Sequence, residues 1–286
     1  MLKENIKILE EEFLWLINPP THIIVYFIAN IVGFLGWLFF RVRHKVVVYG
    51  HRQIIWQKNM IVLTNHKSMI DSFMIGTVLL WPKVLYRPSL IPIHLAAKEN
   101  FSNPHLFTRF LKRLCRMKGV GRAIGLFFRN SWVEKVGNFP TDVFFDTLFL
   151  LLRVLPVEPG RNDPRVIWKV KNALPKSIIH VFVTAGRDVD EKYDRVARGV
   201  GYWVKHNRTD VLPVFFRGIE HIQIKGKVFP KIWPRRTIYL IIGHFIDFED
   251  LIVLSDTRDV YDEVTGRCIQ AMKELGDKLS QKVNGN

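Results

Sequence analysis

The chain has 286 residues, 48% of them hydrophobic, which supplies a core for one large domain or a domain with an appendage and excludes a disordered tail. Lys plus Arg outnumber Asp plus Glu by 42 to 26, a net charge of +16 that draws a protein toward phosphate-rich surfaces, whether nucleic acid or anionic membrane. Two distant cysteines, Cys115 and Cys268, form no CxxC pair, so neither a zinc site nor a disulfide framework is indicated, and a reducing compartment fits.

Aromatic residues make up 13% of the chain, with 21 Phe, which favours apolar contact and therefore the membrane over a polyelectrolyte partner. Residues 3–17 place Ile6, Leu9, Phe13 and Leu16 on one helical face. Residues 21–40 follow without a single Asp, Glu, Lys or Arg, about the 20 apolar residues a bilayer span needs. Glu10, Glu11 and Glu12 precede this stretch and Arg41, Arg43, His44 and Lys45 follow it, so a spanning helix places the rest of the chain on the cytoplasmic side. The acidic flank and the lack of a small-residue cleavage site are unlike a secretory signal. The small residues Ala29, Gly33 and Gly36 equally allow a helix that packs on a partner, residues 3–17 among the candidates, and dips into one leaflet.

Beyond residue 45 the pattern becomes short apolar runs separated by helical stretches, the signature of an α/β domain. Strands are expected at 46–49, 60–64, 178–183, 211–216 and 237–242, each with β-branched residues. Residues 106–118 read as a basic amphipathic helix, with Phe107, Phe110, Leu111, Leu114 and Met117 at helical spacing and Arg109, Lys112, Arg113 and Arg116 between them. Such a helix either lies in a membrane interface or covers the domain core. Residues 143–152 are apolar but too short to span. The turn Trp233-Pro234-Arg235-Arg236 is basic, and Val260, Val264, Ile269, Met272 and Leu275 mark a closing helix.

The chemistry concentrates where the strand at 60–64 runs into a polar turn, Asn65-His66-Lys67-Ser68-Met69-Ile70-Asp71. A histidine near neutral pKa takes a proton from a hydroxyl when an acceptor such as a carboxylate orients its other ring nitrogen. His66 is the only histidine with an aspartate five residues on. Five residues do not share a face of a regular helix, so the pair needs a turn entering a helix, which Asn65 and Ser68 are placed to cap.

This segment resembles the NHxxxxD block of the glycerolipid acyltransferases, the family of 1-acylglycerol-3-phosphate acyltransferases. Further blocks follow in order. His94-Leu-Ala-Ala-Lys98-Glu-Asn-Phe101 is similar to the family's AAKxELF segment, and Leu155-Pro-Val-Glu158-Pro-Gly-Arg161 to its second block. Phe182-Val-Thr184-Ala-Gly186-Arg187 falls where FPEGTR belongs, and Val211-Leu-Pro213-Val-Phe resembles the fourth block. The likeness covers about residues 46–250. Thr184 replaces the family's glutamate and Val183 its proline, while Arg187 is retained. Pro159 occupies the second block's arginine position, with Arg161 two residues on, and about thirty extra residues precede it near 106–140.

The expected architecture is α/β, a mixed sheet surrounded by helices. Residues 1–45 form an N-terminal helical membrane anchor, and residues 46–286 an acyltransferase domain with a basic insertion near 106–140. The resemblance implies acyl transfer from acyl-CoA or acyl-carrier protein to a hydroxyl of a lysophospholipid-like acceptor, with His66 as general base and Asp71 orienting it. It places Asn65, Lys98, Arg161, Thr184, Gly186 and Arg187 at the substrate, since arginines of these blocks bind the acceptor phosphate. Backbone amides near His66 are the expected oxyanion donors. No metal and no cofactor beyond the acyl donor is implied, as neither HExxH nor a His/carboxylate cluster is present. The alternatives are a non-catalytic membrane lipid-binding relative and an acyltransferase for a non-phosphate acceptor. No RNP motif, helix-turn-helix or zinc finger supports nucleic-acid binding.

Overall fold

The computed structural model describes residues 21–50, 54–68, 70–97, 153–158, 163–184, 186–188, 191–193, 199–222, 231 and 233–285. In chain order, helix α1 (Thr21–Arg43) leads into strands β1 (Lys45–Gly50) and β2 (Met60–Thr64), then helix α2 (Asp71–Leu80). Strands β3 (Ile93–Ala97) and β4 (Val154–Val157) precede α3 (Pro164–Ala173), β5 (Ile178–Phe182), α4 (Gly199–Asn207) and β6 (Asp210–Arg217). Strand β7 (Thr237–Ile242), the short α5 (Glu249–Ile252) and α6 (Arg258–Asn284) complete the described chain.

Seven strands form one sheet in the order β1-β7-β6-β2-β5-β3-β4. All neighbours are parallel except β6 and β7, so the sheet is mixed, as the sequence predicts. The five expected strands are present, the one read as 178–183 ending at Phe182. Strands β3 and β4 add to them. Both fall inside family-like blocks whose small and proline residues hide a strand pattern.

β2 is buried at every residue, which explains its continuous apolar run: helices cover both faces of the sheet. On one face Met60, Val62, Ile178, Leu212, Val214 and Phe216 pack with Val25 and Phe40 of α1 and Met74, Ile75 and Leu80 of α2. On the other, Ile61, Leu63, Ile179, Val181, Val211 and Phe215 meet Val170 of α3, Trp203 and Val204 of α4, and Val264, Cys268, Met272 and Leu275 of α6. Gly201 lets α4 and α6 touch, since a Cβ there would sit 2.3 Å from the Tyr261 carbonyl oxygen. Pro213 is accommodated inside the sheet because its β7-side partner, Gly243, lies just past the last ladder pair, Val214 with Ile242.

Among the described residues α1 is the one helix long and apolar enough to cross a membrane, by length and composition, and 22% of its most apolar stretch is buried, unlike a core helix. Its small-residue face packs on α2. A Cβ on Gly36 would lie 2.3 Å from Phe73 Cζ, and one on Gly33 2.6 Å from Trp81 Cδ1. Residues 3–17, 106–118 and 143–152, with the expectations attached to them, lie outside the described residues.

Candidate active site

β2 and β5 are parallel neighbours, yet the chain leaves β2 for α2 on one face and β5 for α4 on the other. Adjacent parallel strands whose connections diverge open a crevice at their carboxyl ends, the usual ligand position in an open α/β sheet. His66 follows β2 at that edge and Thr184, Gly186 and Arg187 follow β5.

The turn after β2 is built by three side chains. Asn65 donates from its Nδ2 to the Phe216 carbonyl at 2.9 Å and accepts from the Phe216 N–H at 2.8 Å, so its amide continues the ladder to β6 after the backbone has left it. Both ends of this predicted substrate contact are thus engaged within the fold. Asp71, wholly buried at the start of α2, receives three donors on one oxygen: Lys67 N–H at 2.7 Å, Ser68 N–H at 2.8 Å and His66 Nδ1 at 3.1 Å. Burial raises the Asp71 carboxyl from its ordinary range, opposed by the His66 bond and the two backbone donors. The expected helix cap is differently made. Ile70 stands at the N-cap without a side-chain bond, Ser68 Oγ accepts from the Ile70 N–H at 3.2 Å, and Asp71 reaches back over the turn.

Nδ1 of His66 being held by Asp71, Nε2 is the atom left for chemistry, and it has no hydrogen-bond partner among the described residues. His66 is buried but not sealed, at 9% exposure. Its ring stacks on Phe182 with centroids 3.9 Å apart and planes at 21°. A polar string runs behind it: His180 contacts Thr64 Oγ1 through Nε2 at 2.8 Å and His94 Nδ1 through its own Nδ1 at 3.1 Å. Burial lowers both histidines, His94 to about 3 with Arg153 adding to the effect, so they remain neutral.

The loop after β5 is clamped onto the His66 turn. The Asp188 N–H donates to the His66 carbonyl at 2.9 Å, and the Asp188 carboxylate accepts from Lys192 N at 3.0 Å and Tyr193 N at 2.7 Å. That bend brings Glu191 to Lys67, whose Nζ meets Oε1 at 2.7 Å with the lysine side chain 4% exposed. The carboxylate beside the turn is therefore Glu191, while Thr184, at the position where the sequence resemblance expects a glutamate, closes a local turn by donating to the Gly186 carbonyl at 2.8 Å. Arg187 carries a buried Nη1 without a partner among the described residues. An unpaired buried guanidinium N–H is costly and calls for an acceptor.

The structure brings together Asn65, His66, Asp71, Thr184, Gly186 and Arg187. Lys98 and Arg161 lie outside the described residues, although β3 and β4, which lead to them, run parallel to β2 and end at the same sheet edge. The Lys67 and Ser68 N–H groups, which follow His66 in the turn expected to supply oxyanion donors, are instead bonded to Asp71. Sequence reasoning missed Phe182 as a platform, the Lys67–Glu191 pair and the His180–His94 string. Phe182 was legible as part of a motif but not as a neighbour of His66. Among the described residues no group of three or more His, Cys, Asp or Glu is placed to hold a metal.

No family model matches the chain, and no curated protein does. Among solved structures, it is similar to the crystal structure of the 1-acyl-sn-glycerophosphate acyltransferase PlsC from Thermotoga maritima, with 18% identity, 86% of this chain and 79% of that one covered, and a TM-score of 0.47.

Proposed function

We propose that this chain is an O-acyltransferase of the glycerolipid type, moving a fatty acyl group from acyl-CoA or acyl-carrier protein to a hydroxyl of a lysophospholipid-like acceptor. The observation that carries the reading is the His66–Asp71 pair: a carboxylate buried to 0% exposure, 3.1 Å from Nδ1 of an imidazole whose Nε2 has no hydrogen-bond partner among the described residues, at the end of a central strand. His66 Nε2 takes the proton of the acceptor hydroxyl as its oxygen attacks the thioester carbonyl carbon. The tetrahedral intermediate collapses with cleavage of the C–S bond, and the imidazolium returns the proton to the departing thiolate. Asp71 holds Nδ1–H in place and stabilises the transient imidazolium.

Nη1 of Arg187, buried and without a partner among the described residues, supports an anionic headgroup, because a planar guanidinium suits phosphate geometry. In this reading α1 holds the enzyme at the membrane where such acceptors reside, and Arg41 and Arg43 in its last turn, with Lys45 just after it, favour the cytoplasmic side for the domain.

The test is acyl transfer by the purified full chain with acyl-CoA and acyl-carrier-protein donors across a panel of lysolipids. The expected result is product with at least one acceptor, and a loss of about 10² or more for His66→Ala. Vesicle binding without transfer to any acceptor would leave the chain a lipid-binding protein.

A further inference from the structure

The turn Trp233-Pro234-Arg235-Arg236 takes no part in the acyl-transfer reading, yet the fold places it against the end of the apolar helix. The Lys45 N–H donates to the Arg236 carbonyl at 2.9 Å, and the Arg236 N–H donates to His44 Nδ1 at 3.4 Å. From the next residue β7 pairs with β1, Lys45 opposite Thr237. His44 is 1% exposed and meets Phe39 edge-on, with ring centroids 5.1 Å apart. Burial lowers its pKa, so it is a neutral acceptor that fastens the turn to the helix. Helix end and turn are thus one rigid piece.

The outward faces of that piece have a consistent chemistry. Along α1, Ile24, Phe27, Ile31, Leu35, Leu38 and Val42 are exposed at helical spacing, a stripe about 27 Å long at the usual helical rise. Where the stripe ends, Arg41, Arg43 and Lys45 are exposed, and across the His44 link so are Arg235 and Arg236. Among the described residues no carboxylate forms an ion pair with any of these five cations. Trp233 stands beside them at 78% exposure. A large apolar stripe exposed in water is unfavourable, an indole favours the boundary between hydrocarbon and headgroup, and unpaired cations there favour anionic phosphate.

We infer that the turn at residues 233–236 and the C-terminal end of α1 form a single docking surface for anionic lipid headgroups, with Trp233 at the membrane interface. The inference rests on the membrane reading of α1 and not on acyl transfer. The surface fixes the rotation of the domain about α1, because a second contact far from the helix in sequence removes the freedom a single helix would leave.

The experiment uses the full chain, transferred from detergent to vesicles of phosphatidylcholine with or without phosphatidylserine. R235Q/R236Q is expected to lower partitioning to the phosphatidylserine vesicles, about fivefold for each arginine at low salt, and to leave partitioning to phosphatidylcholine alone unchanged. The control R258Q/K278Q, on exposed positions of α6 across the sheet, is expected to have a markedly smaller effect. In wild type, lipids brominated near the headgroup should quench fluorescence that W233F lacks. Equal losses from the two double variants would mean that net charge alone is read, and an R235Q/R236Q variant indistinguishable from wild type, or a Trp233 that brominated lipid does not quench, would overturn the surface. Failure of the wild type to bind either vesicle would remove the reading of α1 as well, whatever the acyl-transfer assay gives. All substituted positions are exposed, and unchanged circular dichroism and thermal unfolding confirm that the variants fold.

Discussion

The imidazole of His66 lies almost flat on the ring of Phe182, centroids 3.9 Å apart, while His180 meets the same phenyl ring edge-on at 4.7 Å. Phe182 is the last residue of β5 and Thr64, opposite it in register, is the last of β2. The platform is therefore as rigid as the sheet centre, and together with Asp71 it fixes both the position and the plane of the ring.

Replacing Phe182 by Leu keeps apolar volume but removes the flat face. An aromatic pair contributes about 1 kcal/mol beyond its buried area, so turnover should fall about fivefold, whereas Phe182→Tyr should stay near wild type. Steady-state kinetics of the two variants decides it. Full activity in Phe182→Leu would mean that Asp71 alone orients the His66 imidazole.

Asp71→Asn tests the orienting carboxylate. An amide can accept from only one of its two atoms, and turned the other way it sets a second donor against Lys67 N–H, Ser68 N–H and Nδ1. Turnover should fall by about 10³ to 10⁴, with a smaller loss of thermal stability. Arg187→Ala should instead raise the acceptor KM and largely spare kcat, because headgroup binding is present before and during the chemical step. If Arg187→Ala lowered kcat as deeply as Asp71→Asn, the guanidinium would be acting on the reacting centre.

Asn65→Ala strips Phe216 of both partners and leaves a buried N–H and a buried carbonyl unsatisfied. The expected cost is about 2 to 4 kcal/mol, read as a lowered thermal or denaturant midpoint. Asn65→Asp keeps one acceptor and should be intermediate. An Asn65→Ala protein of undiminished stability but raised acceptor KM would restore the residue to substrate binding.

Acid should destabilise the fold through the histidine string. His94 is lowered from 6.5 to about 3 and His180 is also well below its usual value, so between these limits the unfolded chain binds more protons than the folded one. Stability then rises with pH from about 3 to 6.5 and is lost on acidification through that window, by up to about 1.4 kcal/mol per pH unit for each histidine. Asp71, raised by burial, acts with the opposite sign and reduces the net slope. Denaturant unfolding across the window should show the fall, and His94→Leu should flatten it. A slope the same in both proteins would assign the acid lability elsewhere.

Much of the architecture is written in local order. The all-apolar run at Met60–Thr64 can be satisfied only by a strand covered on both faces, and the periodicity after residue 258 only by an amphipathic helix. β3 and β4 were not legible as strands, because Ala96, Ala97 and Pro156 carry weak strand preference and are held by their neighbours across the sheet. The spacing of His66 and Asp71 likewise lets the pair meet, since five residues is a separation one turn can close.

What surrounds that pair was decided only in three dimensions. Phe182 lies 116 residues from His66, Phe216 lies 151 from Asn65, and Glu191 lies 124 from Lys67. Each meets its partner because β2 sits between β5 and β6, an order fixed by crossovers rather than by any local pattern. The same holds for the turn at 233–236, a plain basic loop in the sequence until β1 and β7 pair and His44 binds it to α1. Sequence alone determined which residues can carry a proton, a charge or an apolar face. The parallel sheet decided which of them meet, because contacts between distant strands depend on the packing of the whole core.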